Sequence, residues 1–164
     1  MDNSWKLHHI GVVVGDMDKS VEYYRSLEMA TFDPAEYHQT IGIPTSEPEL
    51  LFQSSNYEVF TVNGKPPETP VKLRVRFVPM GSATLELIQP VEGESPHKEF
   101  LHSVGEGLHH IAYLVDDLEK ETGKLIGKGA KIIFGGKRPG RSFAYFDTRK
   151  VGNIITELMQ WAAE

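Results

Sequence analysis

The chain has 164 residues, of which 40% are hydrophobic and 24% charged, and its formal net charge is −6. That length suits one domain or two small modules sharing a core, and an acidic surface repels phosphate backbones, which argues against a general nucleic-acid binder. There is no cysteine, so disulfides, thiolate zinc sites and cysteine nucleophiles are excluded together, and any metal has to be held by imidazole nitrogen and carboxylate oxygen.

The N-terminus, Met1-Asp2-Asn3-Ser4-Trp5-Lys6, is polar and does not read as a secretory leader. His8 to Val14 is an apolar, β-branched strand, and such runs fall far short of a membrane span. The expected setting is therefore cytoplasmic, with no membrane partner. Asp16 is placed to cap a helix on which Met17, Val21, Tyr24 and Leu27 recur at helical spacing. The stretch from Asp33 to Pro70 carries Pro44, Pro48, Pro66, Pro67 and Pro70 and reads as a long loop or lid, with a short strand within Tyr57 to Val62. Strands follow near 72–79 and 83–89, then a linking helix over Ser95 to Val104 with Pro96 in its first turn. A further strand spans 108–115. Asp117 caps a helix bearing Leu118, Thr122, Leu125 and Ile126, which stops at Gly129. Strands near 131–134, 142–147 and 153–159 complete the chain.

The chain repeats itself. Leu7 to Lys19 and Leu108 to Lys120, 101 residues apart, share seven of thirteen residues, including the doublets His8-His9 and His109-His110. Leu85-Glu86-Leu87-Ile88-Gln89 returns 71 residues later as Thr156-Glu157-Leu158-Met159-Gln160. The difference places about 30 additional residues in the first half, in the insertion around 34–70. The reading is an α+β fold of two βαβββ modules: residues 1–94 with that insertion, a linking helix over 95–106, and residues 107–164.

Strand side chains alternate between faces. Ile10, Val12 and Val14 then lie toward the helix and His9 on the opposite face beside Gly11. Ile111, Tyr113 and Val115 oppose His110 and Ala112. Leu85 and Leu87 oppose Glu86, and Leu158 opposes Glu157. His9, Glu86, His110 and Glu157 therefore share one inner face. Two carboxylates on an otherwise apolar face would be costly alone but make sense around a divalent cation, and a 2-His-2-Glu set suits Zn, Ni, Co, Mn or Fe. His8 and His109 are expected toward the helices or solvent, and His38, His97 and His102 on the surface.

With these residues in place, the sequence resembles the vicinal oxygen chelate superfamily, which includes glyoxalase I, methylmalonyl-CoA epimerase, extradiol dioxygenases and bleomycin-type resistance proteins. The resemblance implies paired βαβββ modules whose mixed sheet curves into a cup with helices outside. It also implies one divalent metal ion, held by His9, Glu86, His110 and Glu157. The run Glu86-Leu87-Ile88-Gln89-Pro90, Ser95-Pro96, Phe100-Leu101, Gly107 to Ala112 and Val115-Asp116-Asp117 is most similar to the methylmalonyl-CoA epimerases. That likeness implies a metal-dependent epimerase moving a proton next to a thioester carbonyl, with Glu157 as base, Glu86 as a second catalytic group, an acyl-CoA substrate and a homodimer. Alternatives are a glyoxalase I-like isomerase (lactoylglutathione lyase) and a non-catalytic small-molecule binding protein of the same fold.

Some epimerases of this family resemble one another in a second carboxylate on the third strand of the first module. Here that strand, Lys72 to Val78, has no acid, and Glu86, Glu49 or Glu58 would have to substitute. If its apolar residues pack outward, Arg74 and Arg76 line the cup and bind an anionic substrate. The glycine-rich loop over Gly135 to Arg141 carries three positive charges, Lys137, Arg138 and Arg141, and is a candidate for holding a CoA phosphate, with Lys137 and Arg138 foremost.

Overall fold

A computed structural model describes residues 5–28 and 49–161. His38 and the first part of the expected insertion lie outside the described residues. The elements are β1 (Lys6–Val13), α1 (Met17–Ser26), β2 (Leu50–Gln53), a 3-10 turn (Ser54–Asn56), β3 (Val59–Val62), β4 (Lys72–Met80), β5 (Ala83–Glu92), α2 (Pro96–Ser103), β6 (Gly107–Leu114), α3 (Leu118–Gly127), β7 (Ile132–Arg138), β8 (Arg141–Phe146) and β9 (Ile155–Trp161).

The two halves use the same local devices. Asp16 accepts a hydrogen bond from the Lys19 amide at 3.1 Å and Asp117 from the Lys120 amide at 2.9 Å, so each carboxylate satisfies a donor that its helix leaves open. A glutamine from the repeated Glu-Leu-x-Gln segment meets the next open donor. Gln89 accepts from the Met17 amide at 3.0 Å and Gln160 from the Leu118 amide at 2.9 Å. Glutamate and glutamine lie three residues apart on a strand and so point to opposite faces. The segment thus ties a helix to the outside of the sheet while presenting an acid inside.

The strands form one mixed sheet in the order β2-β4-β5-β1-β6-β9-β8-β7-β3. β1 and β6 are antiparallel at its centre, flanked by the parallel pairs β1/β5 and β6/β9. The outer face packs under the helices in two groups, Val14, Val78 and Leu87 against Met17 and Val21 of α1, and Val115, Ala144, Phe146 and Leu158 below α3. The inner face carries the largest apolar group, including Leu73, Val75, Phe77, Ile88, Phe134, Phe143 and Met159. The sheet is strongly curved. Phe52 of β2, at one rim, stands 6.2 Å from Phe134 and 6.1 Å from Phe143, which belong to β7 and β8 near the other. This is the expected α+β cup with helices outside.

Two details differ from the sequence reading. The first half contains the additional strand β2, whose four residues Leu50-Leu51-Phe52-Gln53 are too short to show a period. Gly135 to Arg138 is strand rather than loop, and only Pro139-Gly140 turns, with Gly140 at φ +75°. Gly136 makes room for rings, since a Cβ there would come within 2.7 Å of Tyr57 and 2.8 Å of Phe143. The expected strand within 57–62 is present as β3, but it crosses to pair with β7.

Gln160→Ala should lower the unfolding free energy by about 1 kcal/mol in chemical denaturation, because it removes a helix-end acceptor distant from the inner face.

Candidate metal centre

The parallel pairings place the acids. β1 against β5 sets Gly11 opposite Glu86, and β6 against β9 sets Ala112 opposite Glu157. His110 lies across from Gly11 in the central antiparallel pair. The glycine is obligatory here. A Cβ at Gly11 would fall 2.0 Å from Cε1 and 2.4 Å from Nε2 of His110, so any larger residue would occupy the space of the imidazole ring.

The four side chains converge. His9 Nε2 lies 3.1 Å from His110 Nε2, 3.1 Å from Glu86 Oε2 and 3.2 Å from Glu157 Oε2. His110 Nε2 lies 3.4 Å from Glu86 Oε2 and 3.3 Å from Glu157 Oε2. For bonds of about 2.1 Å to a central ion, neighbouring donors stand roughly 3.4 Å apart in a tetrahedron and roughly 3.0 Å apart in an octahedron. The observed separations span that range. Glu157 Oε2 is buried and close to two ring nitrogens, yet it has no hydrogen-bond partner. This is the arrangement expected when donors aim at a shared point instead of at one another. Two anionic oxygens and two imidazole nitrogens, almost wholly shielded from water, fit a divalent first-row cation.

Each inner histidine is held by its neighbour in sequence. His8 Nδ1 lies 2.7 Å from His9 Nδ1, and His109 Nδ1 lies 3.0 Å from His110 Nδ1. Strict alternation would forbid such contacts. The β1–β6 register, however, skips His8 on one strand and His109 on the other, so each is the extra residue of a bulge. The expected placement is corrected for His8, whereas His109 does meet a helix, the linking helix α2. His8 lines the inner cavity and packs edge-on to Trp161, while His109 is buried against His97 and Phe100 of α2. An Nε2 lone pair offered to a cation requires the proton on Nδ1, and His8 and His109 are placed to accept it.

Burial alone would favour the neutral ring of His9, but the carboxylates of Glu86 and Glu157 more than offset this and hold its pKa up at about 10. His110 moves the same way, with burial opposed by both glutamates. Burial would raise Glu86 and Glu157, yet the two imidazoles pull both below the usual carboxylate range. Without a cation, the cluster balances its acids with protons on its histidines.

Three of the donors, His9, Glu86 and Glu157, line a cavity of about 260 Å3 walled chiefly by hydrocarbon, including Leu73, Val75, Phe77, Phe134, Phe143 and Met159. The outward packing imagined for β4 is reversed. Its register sets Phe77 opposite Glu86 and Arg74 opposite Gln89, and opposed residues share a face. Arg74 therefore lies outside, paired with Asp18 of α1 at 3.0 Å and Glu49 at 2.6 Å, and Arg76, opposite Leu87, is also on the outer side. Neither lines the cavity, and Lys137 is exposed outside it. Arg138 does line it, with its guanidinium 5.3 Å from the Tyr57 ring. Glu58 is exposed and also outside the lining.

Arg141, the third charge of that glycine-rich stretch, also lines the cavity, 4.9 Å from the Trp161 ring. Tyr145 went unforeseen, and its buried hydroxyl lies 3.4 Å from His110 Nε2. Tyr145 pairs with Glu157 across β8 and β9, which the alternation Phe143-Ala144-Tyr145 would reveal only with the register in hand. His97, expected on the surface, is fully buried and His102 is exposed as expected.

A family model described as the glyoxalase/bleomycin resistance protein/dioxygenase superfamily matches residues 8–146. The uncharacterized protein YqjC of Bacillus subtilis (strain 168) is 34% identical over 92 residues, which cover 54% of this chain and 66% of that protein. The mitochondrial methylmalonyl-CoA epimerase of Bos taurus is 25% identical across 96% of this chain and 75% of its own length. The structure of Streptomyces coelicolor methylmalonyl-CoA epimerase in complex with 2-nitronate-propionyl-CoA superposes with a TM-score of 0.57 at 21% identity. It covers 96% of this chain and 98% of that one, a likeness of fold.

Gly11→Ala should displace the His110 ring and weaken cobalt or zinc uptake at least tenfold, read by elemental analysis after dialysis against a metal buffer. Cation affinity should rise about tenfold per pH unit between pH 7 and 9 for each proton displaced, measured by competition with a chromophoric chelator. The His9 pKa is raised on folding, so its contribution to the cation-free protein is complete below about pH 6.5 and lost as pH approaches 10. Thermal unfolding of the stripped protein should show that decline.

Proposed function

Because the chain belongs to the glyoxalase/bleomycin resistance protein/dioxygenase superfamily, we propose that it is a divalent-cation-dependent isomerase acting next to a thioester carbonyl, as methylmalonyl-CoA epimerases do. The observation that carries this reading is the convergence of His9, Glu86, His110 and Glu157 at 3.1–3.4 Å beside an apolar cavity. These four residues would hold the cation. When bound, such an ion polarises a carbonyl and stabilises the enolate formed when the neighbouring carbon loses a proton.

The chain's own residues supply the rest. Glu157, a buried carboxylate lining the cavity, takes the proton. The inner face of β4 presents Leu73, Val75 and Phe77 and no acid, which leaves Glu86 as the second carboxylate for returning a proton. Hydrocarbon walls keep bulk water from the carbanion. Arg138, with Arg141 beside it, offers positive charge to an anionic part of an acyl-CoA. The protein would work as a homodimer, as the family resemblance implies. Among the described residues no helix is long and apolar enough to cross a membrane.

The acid-free β4 face also favours a second reading, glyoxalase-type isomerisation of a thiol–dicarbonyl adduct, which a methylglyoxal and glutathione assay would detect. The epimerase reading predicts deuterium uptake into methylmalonyl-CoA in heavy water with cobalt present. Glu157→Gln should slow that exchange by about 100-fold or more. Exchange no faster than the uncatalysed background in the loaded wild-type protein overturns the reading.

A further inference from the structure

His97 is buried beside the centre and has no part in the reaction proposed above. It follows Pro96 in the first turn of α2, and its ring is fully enclosed. The rings of His109, Phe134, Tyr145 and His110 surround it, with centroids at 4.7, 5.3, 5.4 and 6.0 Å. Neither Nδ1 nor Nε2 has a hydrogen-bond partner. Buried polar atoms are paired in the great majority of cases, so two unpaired nitrogens on one ring call for a partner. The ring lines the same cavity as Glu86 and Glu157, and one of its nitrogens lies within 4.8 Å of a His110 nitrogen. It is no more enclosed than the donors themselves, since His110 is also 0% exposed. A neutral imidazole offers one N–H and one lone pair.

A second cation among His97, His109 and His110 is the less favourable account. His110 Nδ1 is already engaged by His109 Nδ1 at 3.0 Å, and that trio contains no carboxylate to balance the charge. A ligand in the cavity that His97 lines would supply a partner without either cost.

We infer that His97 is a ligand-binding residue: it hydrogen-bonds an oxygen of a small oxygen-bearing anion seated in the cavity against the four-donor centre. The inference rests on the reading of that centre as a cation site and not on any particular turnover reaction. It places a neutral, directional group where β4 supplies only hydrocarbon, so an oxygen-rich head is selected over an apolar one of equal size.

The test uses the cobalt-loaded protein and oxalate, a two-oxygen anion, followed by the visible cobalt spectrum and by calorimetry. His97→Leu removes both hydrogen-bonding atoms at similar volume, and His97→Gln retains a donor and an acceptor. Cobalt content should equal wild type in both variants. Oxalate affinity should fall about tenfold or more in His97→Leu and recover at least partly in His97→Gln. His97→Leu should also unfold at the same or a higher temperature, because an unpaired polar ring has been replaced by hydrocarbon, whereas a structural histidine would lower it. Wild-type oxalate affinity in His97→Leu overturns the inference, as does a wild-type protein that takes up cobalt but not oxalate. Failure to take up cobalt overturns the cation site and this inference together. Neither oxalate result depends on the exchange assay, so a negative exchange result alone removes the epimerase reading and leaves His97 in place.

Discussion

Two glutamates shut away from water in one small volume set the terms for the rest of the molecule. Ionised carboxylates so close together repel, and burial raises the cost of each. Positive charge has to answer them, as protons on His9 and His110 or as a cation among all four. The duplicated sheet is the scaffold that keeps this unfavourable grouping together. Each parallel pair delivers one acid, the central antiparallel pair delivers both imidazoles, and the outward glutamines anchor the helices that brace the strands.

Much of this was legible in the residues. The thirteen-residue echo and the repeated Glu-Leu-x-Gln segment identified both halves. Plain alternation placed Leu87 and Leu158 toward the helices and Glu86 and Glu157 inside, because those strands are regular where they carry the acids. The reading failed where a side chain's direction depends on a partner strand. A bulge turns His8 into the cavity, and a bulge in a paired strand leaves no trace in the polarity pattern of one strand. The facing of Arg74 was likewise undetermined, because alternating arginines and aliphatics fit either face until the pairing with β5 is known.

His97 and the strand over Gly135 to Arg138 illustrate a second limit. A histidine after a helix-opening proline has the composition of a surface turn, and its burial follows from where α2 docks, a tertiary fact. That strand belonged to a stretch whose glycines suggested a loop. Gly136 is there because aromatic rings press on a strand, which demands the same residue for a different reason.

The short strands β2 and β3 have a consequence for assembly. They are separated by only five residues, yet they pair with opposite rims of the sheet, β2 with β4 and β3 with β7. During synthesis β3 emerges about 70 residues ahead of its partner. It must therefore wait as an unpaired apolar segment until the second half exists. The clasp cannot form before β7 exists and, lying at the edge of the sheet, can open without disturbing the central strands. Completion of the cavity wall is thus tied to completion of the chain.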